Sequence, residues 1–227
     1  MFKWFSTSTD ASTDLTSGMQ RMQAEFGQML DAGRHIFDSA ANAFLGGTNL
    51  EVIRKDLFAT DKLINHAEQQ IRREIVVHTT VHGPSSFPQC LVLMSIVKDA
   101  ERVGDYAKNI FDLAEISPQE PTGEYKDDLI DLKDRISNLM ANCRKVFDKN
   151  DEMAAKEYIA VAELIEDHCD KKISEFVTTG NRELSATYAL AYRYFKRVAS
   201  HSLNVLTSIV QPLDKLDYSE NKTDGQQ

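Results

Sequence analysis

Two carboxylates in the middle of the chain, Glu101 and Asp105, have the residue type and the spacing of a cation-binding pair. They stand four residues apart, so on a helix their side chains lie roughly 5–6 Å from each other on one face. At that distance their negative charges repel and weaken the helix by roughly a few tenths of a kcal/mol, unless a cation lies between them. The pair therefore predicts either a bound metal ion or a basic side chain nearby.

A second polar strip, formed by Asp61, Asn65 and Glu68, borders the apolar stripe of an earlier helical segment. A strip in that position tends to face a groove between helices, where it can join the carboxylates at 101 and 105. Carboxylate and amide oxygens suit a hard cation, so the sequence predicts a site for iron, manganese or magnesium, with the identity of the ion open. The alternative is a solvated acidic face that basic neighbours neutralise. Those neighbours are Lys98, Arg102 and Lys108.

The acidic strip recurs later in the chain, which indicates an internal repeat. Residues 163–176 repeat the pattern of residues 61–74 at an offset of 102. In this second copy, Glu163, Asp167 and Asp170 take the places of the three polar residues of the first strip. Glu163 and Asp167 are therefore candidate ligands of a second cation site.

The carboxylate pair also has a counterpart, but the charges there are different. Residues 196–205 repeat residues 101–110 at an offset of 95, with Lys196 and Ser200 where the first copy has its two carboxylates. A lysine ammonium can lie where a metal ion would otherwise be needed. We therefore expect the first repeat to bind a cation and the second repeat to bind one weakly.

Motifs for catalysis are scarce, which predicts a protein that is not an enzyme. A ferritin-like di-iron centre needs Glu-x-x-His on two helices, and none of the six histidines has a glutamate three residues before it. The chain also lacks a glycine-rich phosphate loop and a His-Glu-x-x-His motif. His78 and His82 stand four apart and suit a metal, but a satisfied pair at a helix end is the commoner arrangement. The alternative, from a different functional class, is a carboxylate-bridged metalloprotein or enzyme of ferritin-like chemistry.

The few glycines and prolines fall in clusters that divide the chain into long segments of helical periodicity, with negligible strand signals. This pattern predicts the all-α class, with six long antiparallel helices arranged as two tandem three-helix bundles. We place a flexible, aromatic-containing start at residues 1–14 and the two bundles at residues 15–117 and 123–212. The polar residues 213–227 are expected to form a disordered tail.

Two of the predicted helix starts carry capping-box patterns. Thr48 with Glu51 precedes the second helix, and Ser86 with Gln89 precedes the third. In such a box each side chain accepts a hydrogen bond from a backbone N–H group of the first turn. The sequence therefore predicts where these two helices begin.

Charge and cysteine content narrow the class of protein. The net charge of −9 makes nucleic acid a poor partner, because phosphate binding needs a surplus of lysine and arginine on at least one face. The odd cysteine count, Cys90, Cys143 and Cys169, without a Cys-x-x-Cys pair, disfavours a disulfide framework or a thiolate zinc site. We therefore predict reduced cysteines and a cytoplasmic protein.

The first residues are aromatic but do not form a targeting segment. Phe2, Trp4 and Phe5 make an apolar run much shorter than the apolar core of a secretory signal, which has about 7–15 residues. No stretch approaches the ~20 apolar residues of a membrane span. These aromatic side chains predict at most a weak contact with a membrane surface.

Residues 98–110, with the strip at residues 61–74 before them, resemble the PhoU family of phosphate-response regulators. The string Glu-Arg-x-Gly-Asp-x-x-x-Asn-Ile carries the resemblance, which covers about residues 15–211. It implies tandem three-helix bundles, with a Glu/Asp-x-x-x-Asp motif on paired helices of each. It also implies surface metal clusters, often of iron, and negative control of phosphate uptake through a phosphate transporter and its sensor kinase.

The family motif can be followed position by position. Glu101 with Asp105 and Glu163 with Asp167 match it in full, whereas Asp61 matches only its first place because an amide holds the second. The lysine and serine of the second copy depart from it. The resemblance thus implies a transporter component or a sensor histidine kinase as the partner, and the sequence leaves a homodimer open.

Overall fold

The computed structural model describes residues 12–46, 49–117, 119–178 and 185–216, with side chains from residue 17 onward. The predicted flexible aromatic start spans residues 1–14: residues 1–11 lie outside the described residues, and residues 12–14 belong to the first helix instead. The predicted tail from residue 217 onward also lies outside the described residues. Residues 213–215, at the beginning of the predicted tail, form a short 3-10 helix, and Leu216 after them is buried.

The described residues form six long α-helices and no strand, which confirms the predicted all-α class. Each helix has between 26 and 33 residues. In chain order they are α1 (Ser12–Phe44), α2 (Leu50–His82), α3 (Phe87–Ile116), α4 (Gly123–Lys149), α5 (Glu152–Thr178) and α6 (Ser185–Val210). A single 3-10 turn, Gly83–Ser86, joins α2 to α3.

The helix starts differ from the predicted capping boxes. At α2 the cap is Asn49, whose Oδ1 accepts a hydrogen bond of 2.9 Å from the backbone N–H of Glu51, while Thr48 lies outside the described residues. At α3 the predicted start is confirmed, because Ser86 precedes the first helical residue, but its side chain makes no capping hydrogen bond and its hydroxyl instead donates to the carbonyl oxygen of Gly83. Ser86 has helical backbone angles as the last residue of the 3-10 turn, whereas a capping side chain usually comes from a residue in the extended region.

The six helices pack as two bundles of three. Helices α1, α2 and α3 contact one another, and so do α4, α5 and α6. The bundles meet where α1 packs on α4 and α3 packs on α6, which leaves α2 and α5 on the outside. Apolar side chains from all six helices form one continuous core. The bundles are thus two halves of one folded unit.

Aromatic side chains join the two bundles through the core. The ring of Phe37 on α1 meets Phe195 of α6 edge to face, with ring centroids 5.5 Å apart. Phe26 and Phe147 make a similar contact between α1 and α4 at 4.8 Å. Edge-to-face pairs at these distances are favourable beyond the apolar area that they bury.

A buried polar contact also crosses between the bundles. Asp99 on α3 is 7% exposed, and its Oδ1 accepts hydrogen bonds from His201 Nδ1 at 2.8 Å and from Asn204 Nδ2 at 2.7 Å, both on α6. The Tyr106 ring stacks on His201, and Arg197 donates to the Tyr106 hydroxyl. Because hydrogen bonds between groups held away from water are strong, these contacts favour one alignment of α3 against α6.

No helix among the described residues is both long enough and apolar enough to cross a lipid bilayer.

Candidate functional site

The packing of α2 against α3 brings the first set of predicted site residues together. Asp61 lies on the inner edge of α2 and is only 7% exposed. Gly104, one residue before Asp105, allows the close approach: a Cβ atom there would lie 3.3 Å from Asp61 Oδ1. A larger residue at position 104 would crowd Asp61, so the glycine within the sequence string has a packing role.

We call the carboxylates Asp61 and Glu68 on α2 and Glu101 and Asp105 on α3 the first cluster. A lysine side chain lies at the centre of the first cluster. Lys108 Nζ is 2.9 Å from Asp61 Oδ1 on α2 and 2.9 Å from Asp105 Oδ1 on α3. Burial by itself would lower the pKa of Lys108, but the hydrogen bonds and the negative charges of the two aspartates outweigh burial and raise it. The ammonium group therefore stays charged and bridges the two helices.

Arginines pair with the other carboxylates of the cluster. Arg102 Nη1 is 3.1 Å from Asp105 Oδ2, and Arg72 Nη2 is 2.8 Å from Glu68 Oε1. Glu101 is less well compensated, with Arg102 Nε at 3.7 Å. Burial, followed by the negative charges of Asp105 and Glu68, raises the pKa of Glu101. Glu101 is thus the carboxylate that the cluster neutralises least.

The first cluster as it stands fits a metal ion poorly. Among the described residues, no group of three or more histidine, cysteine, aspartate and glutamate side chains is arranged to hold a metal. Asn65 donates from Nδ2 to Asp61 Oδ2 at 3.2 Å, so its amide supports the aspartate. The Lys108 ammonium group lies where a cation between α2 and α3 would have to lie. The alternative prediction is an acidic face that Lys98, Arg102 and Lys108 neutralise. Arg102 and Lys108 do contact the cluster, while Lys98 is exposed.

A polar groove opens beside the cluster. It has a volume of about 370 Å³ and both signs of charge. Its lining residues are Phe58, Arg102, Asp105, Tyr106, Lys108, Asn109 and Asp112. Three of them, Arg102, Asp105 and Asn109, are polar members of the sequence string that carries the PhoU resemblance. We call this surface the motif groove.

The second bundle has a comparable charge contact between α5 and α6. Lys196 Nζ is 2.5 Å from Asp170 Oδ2, and the Ser200 hydroxyl donates to Glu166. The predicted ligands Glu163 and Asp167 take part in neither of these two contacts. Glu163 is half-buried and Asp167 is exposed. A lysine ammonium thus provides the positive charge between the second and third helices, as the sequence predicted for this repeat.

The buried Glu166 is a residue that sequence reasoning missed. It is 3% exposed, and the same offset of 102 places apolar Ile64 at its position in the first repeat. Comparison of the two copies therefore gave no sign of a carboxylate here. Its place four residues before Asp170 was the available signal, because residues at that spacing share a helix face.

A second missed group lies within the second bundle. Asp128 Oδ2 on α4 accepts hydrogen bonds from the Tyr192 hydroxyl at 2.5 Å and from His168 Nε2 at 2.9 Å. Burial would raise the pKa of Asp128, but these two hydrogen bonds, together with the positive charges of His168 and Lys172, outweigh burial and lower the pKa. Burial, and then the Asp128 carboxylate, raise the pKa of Tyr192. The network ties α4, α5 and α6 together with a carboxylate that stays ionised.

His78 and His82 face each other near the end of α2, with ring centroids 4.4 Å apart. His78 is buried and lies against Gly18 of α1, where an added Cβ would come within 2.9 Å of Nδ1. The pair packs between α1 and α2, as expected of histidines at a helix end.

The comparisons with known proteins agree with this geometry. The family model for the PhoU domain matches residues 26–114, which include α2, all but the last two residues of α3, and the first cluster. Residues 26–114 are therefore similar to a PhoU domain. The resemblance inferred from the sequence string is thereby confirmed over the first bundle. No curated protein matches the chain by sequence.

Two crystal structures extend the likeness to both bundles. The phosphate transport system regulatory protein PhoU from Streptococcus pneumoniae superposes with a TM-score of 0.70 at 16% identity, covering 86% of this chain and 95% of that one. PhoU from Pseudomonas aeruginosa gives a TM-score of 0.75 at 17% identity, covering 86% and 96%. At such low identity these matches show the fold, and they show that the chain shares the fold of PhoU beyond residues 26–114 as well.

Proposed function

We propose that this chain is a cytosolic, non-enzymatic regulator of phosphate transport that acts by contact with a phosphate transporter component or its sensor kinase. The match of residues 26–114 to the PhoU domain carries the proposal. The fold shared with the S. pneumoniae phosphate transport regulator supports it. The three buried cysteines are free, as is typical of proteins that stay in a reducing compartment.

We place the partner contact at the motif groove. Three polar residues of the family string, Arg102, Asp105 and Asn109, line this groove. Side chains of both charges lie there next to the aromatic rings of Phe58 and Tyr106. Mixed charge around aromatic groups suits a specific protein contact, because charges orient the partner while buried rings contribute affinity. The chain carries no net positive charge that would favour nucleic acid instead.

We propose that this contact forms without a bound metal ion. The resemblance implies one, and the carboxylates are of the right type for a hard cation. The ion pairs of Lys108 with Asp61 and Asp105 would have to open before a metal could enter between α2 and α3.

Deletion of the gene, with measurement of phosphate uptake and of a phosphate-responsive reporter, tests the proposal. We expect uptake or reporter expression in phosphate-rich cells to change on deletion and to return with the wild-type chain. Unchanged uptake and expression in both rich and starved cells would contradict the regulatory role.

Charge reversal in the groove then tests the contact surface. Asp112→Arg changes an exposed groove residue and should fail to restore regulation. The matched control is Asp127→Arg, an exposed aspartate on α4, which should restore it. If both variants complement the deletion equally well, the motif groove is not the contact.

A further inference from the structure

The two bundles place a lysine ammonium group between their second and third helices, but they take that lysine from different positions. In the first bundle it is Lys108, near the end of the repeated segment of α3. In the second bundle it is Lys196, which aligns with Glu101. The repeat offset of 95 places Leu203 at the position of Lys108, so neither lysine has a basic counterpart in the other copy.

We propose that Lys108 and Lys196 act as resident cations, so that this chain holds the carboxylates of both bundles together without a metal ion. The inference does not depend on the proposed role in phosphate transport. It concerns what neutralises the two clusters, and it applies to both bundles.

The contacts in the first bundle carry most of the argument. The Lys108 side chain is 24% exposed and that of Asp61 is 9% exposed, so the bridge lies largely out of solvent. Its nitrogen is equally close to a carboxylate oxygen from each helix, at 2.9 Å. One ammonium group therefore neutralises repulsion across the α2–α3 contact, which is the task that a bridging metal would otherwise have.

In the second bundle a lysine also pairs with a carboxylate of the neighbouring helix, but from a different position in the repeat. Asp170 aligns with Glu68 and Lys196 aligns with Glu101, so an ion pair stands where the first bundle has two like charges near each other. The Lys196 side chain is only 16% exposed. Two lysines at different repeat positions thus neutralise carboxylates between the second and third helices of the two bundles.

An incoming divalent ion would meet these lysines as competitors. The lysine is part of the chain and is always present at its site, whereas a metal must bind from solution and displace it. A displaced ammonium would also remain near the metal, and like charges repel. The carboxylates should therefore bind a hard cation only after the lysine is removed.

The test is metal loading of the full-length protein with Mn²⁺ as the probe. Wild type, Lys108→Met, Lys196→Met and the double variant are dialysed with Mn²⁺, passed over a desalting column and measured for manganese per chain. Lys98→Met is the matched control, because Lys98 is an exposed lysine on α3. Thermal unfolding midpoints with Mn²⁺ and with EDTA supply the second measurement.

We expect wild type and Lys98→Met to retain only trace manganese and to have the same midpoint in Mn²⁺ and in EDTA. Lys108→Met should retain about one equivalent, as expected for a cluster of carboxylates from two helices, and manganese should raise its midpoint. Stoichiometric manganese in wild type, removed by EDTA with a lower midpoint, would overturn the proposal. A folded Lys108→Met chain without manganese would also overturn it. If Lys108→Met does not fold, Lys108→Gln keeps a hydrogen-bond donor without the charge and is judged by the same outcomes.

Discussion

At the scale of single residues, the position of each basic side chain decides which carboxylates of the first cluster are stabilised. Asp105 is within reach of both Lys108 and Arg102, whereas Glu101 has only Arg102 at 3.7 Å. The raised pKa of Glu101, caused by burial and by its acidic neighbours, shows that its negative charge is unfavourable in the folded protein. We therefore expect these two carboxylates, one helical turn apart, to have opposite effects on stability.

Glu101→Gln should raise the stability of the protein at pH 7 by roughly 0.5 kcal/mol, the size of a like-charge repulsion along a helix. Asp105→Asn should lower it, because Lys108 and Arg102 lose an ionised partner. Since the folded-state pKa of Glu101 is raised, its charge costs stability only once the pH rises above the ordinary value of 4.5, and the gain should vanish below that. Urea unfolding of each variant and of wild type, at pH 7 and at a pH below 4.5, measures the difference in the free energy of unfolding. Equal losses in the two variants at pH 7 would contradict this account.

The contribution of Asp128 to stability should depend on pH in the opposite way to that of Glu101. Its folded-state pKa is lowered, so its contribution to stability is present above the ordinary value of 3.8 and is lost as the pH falls through the folded-state pKa. Asp128→Asn should cost about 1.5 kcal/mol at pH 7, because Tyr192 and His168 lose a charged acceptor. The cost should shrink near pH 3. Chemical unfolding of both proteins across this range provides the measurement, and a cost that stays constant with pH would show that the charge is unimportant.

At the scale of the helices, apolar periodicity sets where each helix lies, and local hydrogen bonds set where it begins and ends. The left-handed conformation of Asn150, with φ of 49°, ends α4, and its backbone N–H bonds back to the last turn. Asparagine tolerates that conformation better than most residues. The start of α2 depends in the same way on the side chain of Asn49.

Asn49→Ala should therefore destabilise the protein by about 1 kcal/mol, the usual loss when an N-cap side chain is removed. Asn49→Asp keeps an acceptor for the Glu51 N–H and should remain within a few tenths of a kcal/mol of wild type. Thermal unfolding of the three proteins at one concentration compares them. Equal midpoints for the alanine and aspartate variants would mean that the hydrogen bond does not stabilise α2.

At the scale of the whole molecule, the two bundles share one core and one buried polar contact. Because the apolar cluster runs through all six helices, neither bundle can unfold without exposing the apolar face of the other. We therefore expect a single calorimetric transition whose calorimetric and van't Hoff enthalpies agree. Two separate endotherms would instead show that the bundles unfold independently.

Asp99→Ala tests the polar contact between the bundles. It leaves a buried donor on His201 and a partly buried donor on Asn204 without their acceptor and should cost about 2 kcal/mol. For a chain of this size that corresponds to a fall of about 5 °C in the unfolding midpoint, still as one transition. The control is Asp112→Ala, an exposed aspartate on the same helix. A fall no larger than that of the control would mean that the contact adds nothing to the alignment of the bundles.

The amino-acid sequence by itself determined the all-α class, the internal repeat, the PhoU resemblance and the replacement of the carboxylate pair by Lys196 and Ser200. These features are local, because helical periodicity and motif spacing can be counted along the chain. The tertiary structure decided which side chains meet: Lys108 between Asp61 and Asp105, the buried Glu166, and Asp99 with His201. Such contacts depend on the rotation and axial register of one helix against another, which many distant core residues set together. A single helix therefore shows which of its side chains share a face, and only the packed bundles show which charge lies opposite them.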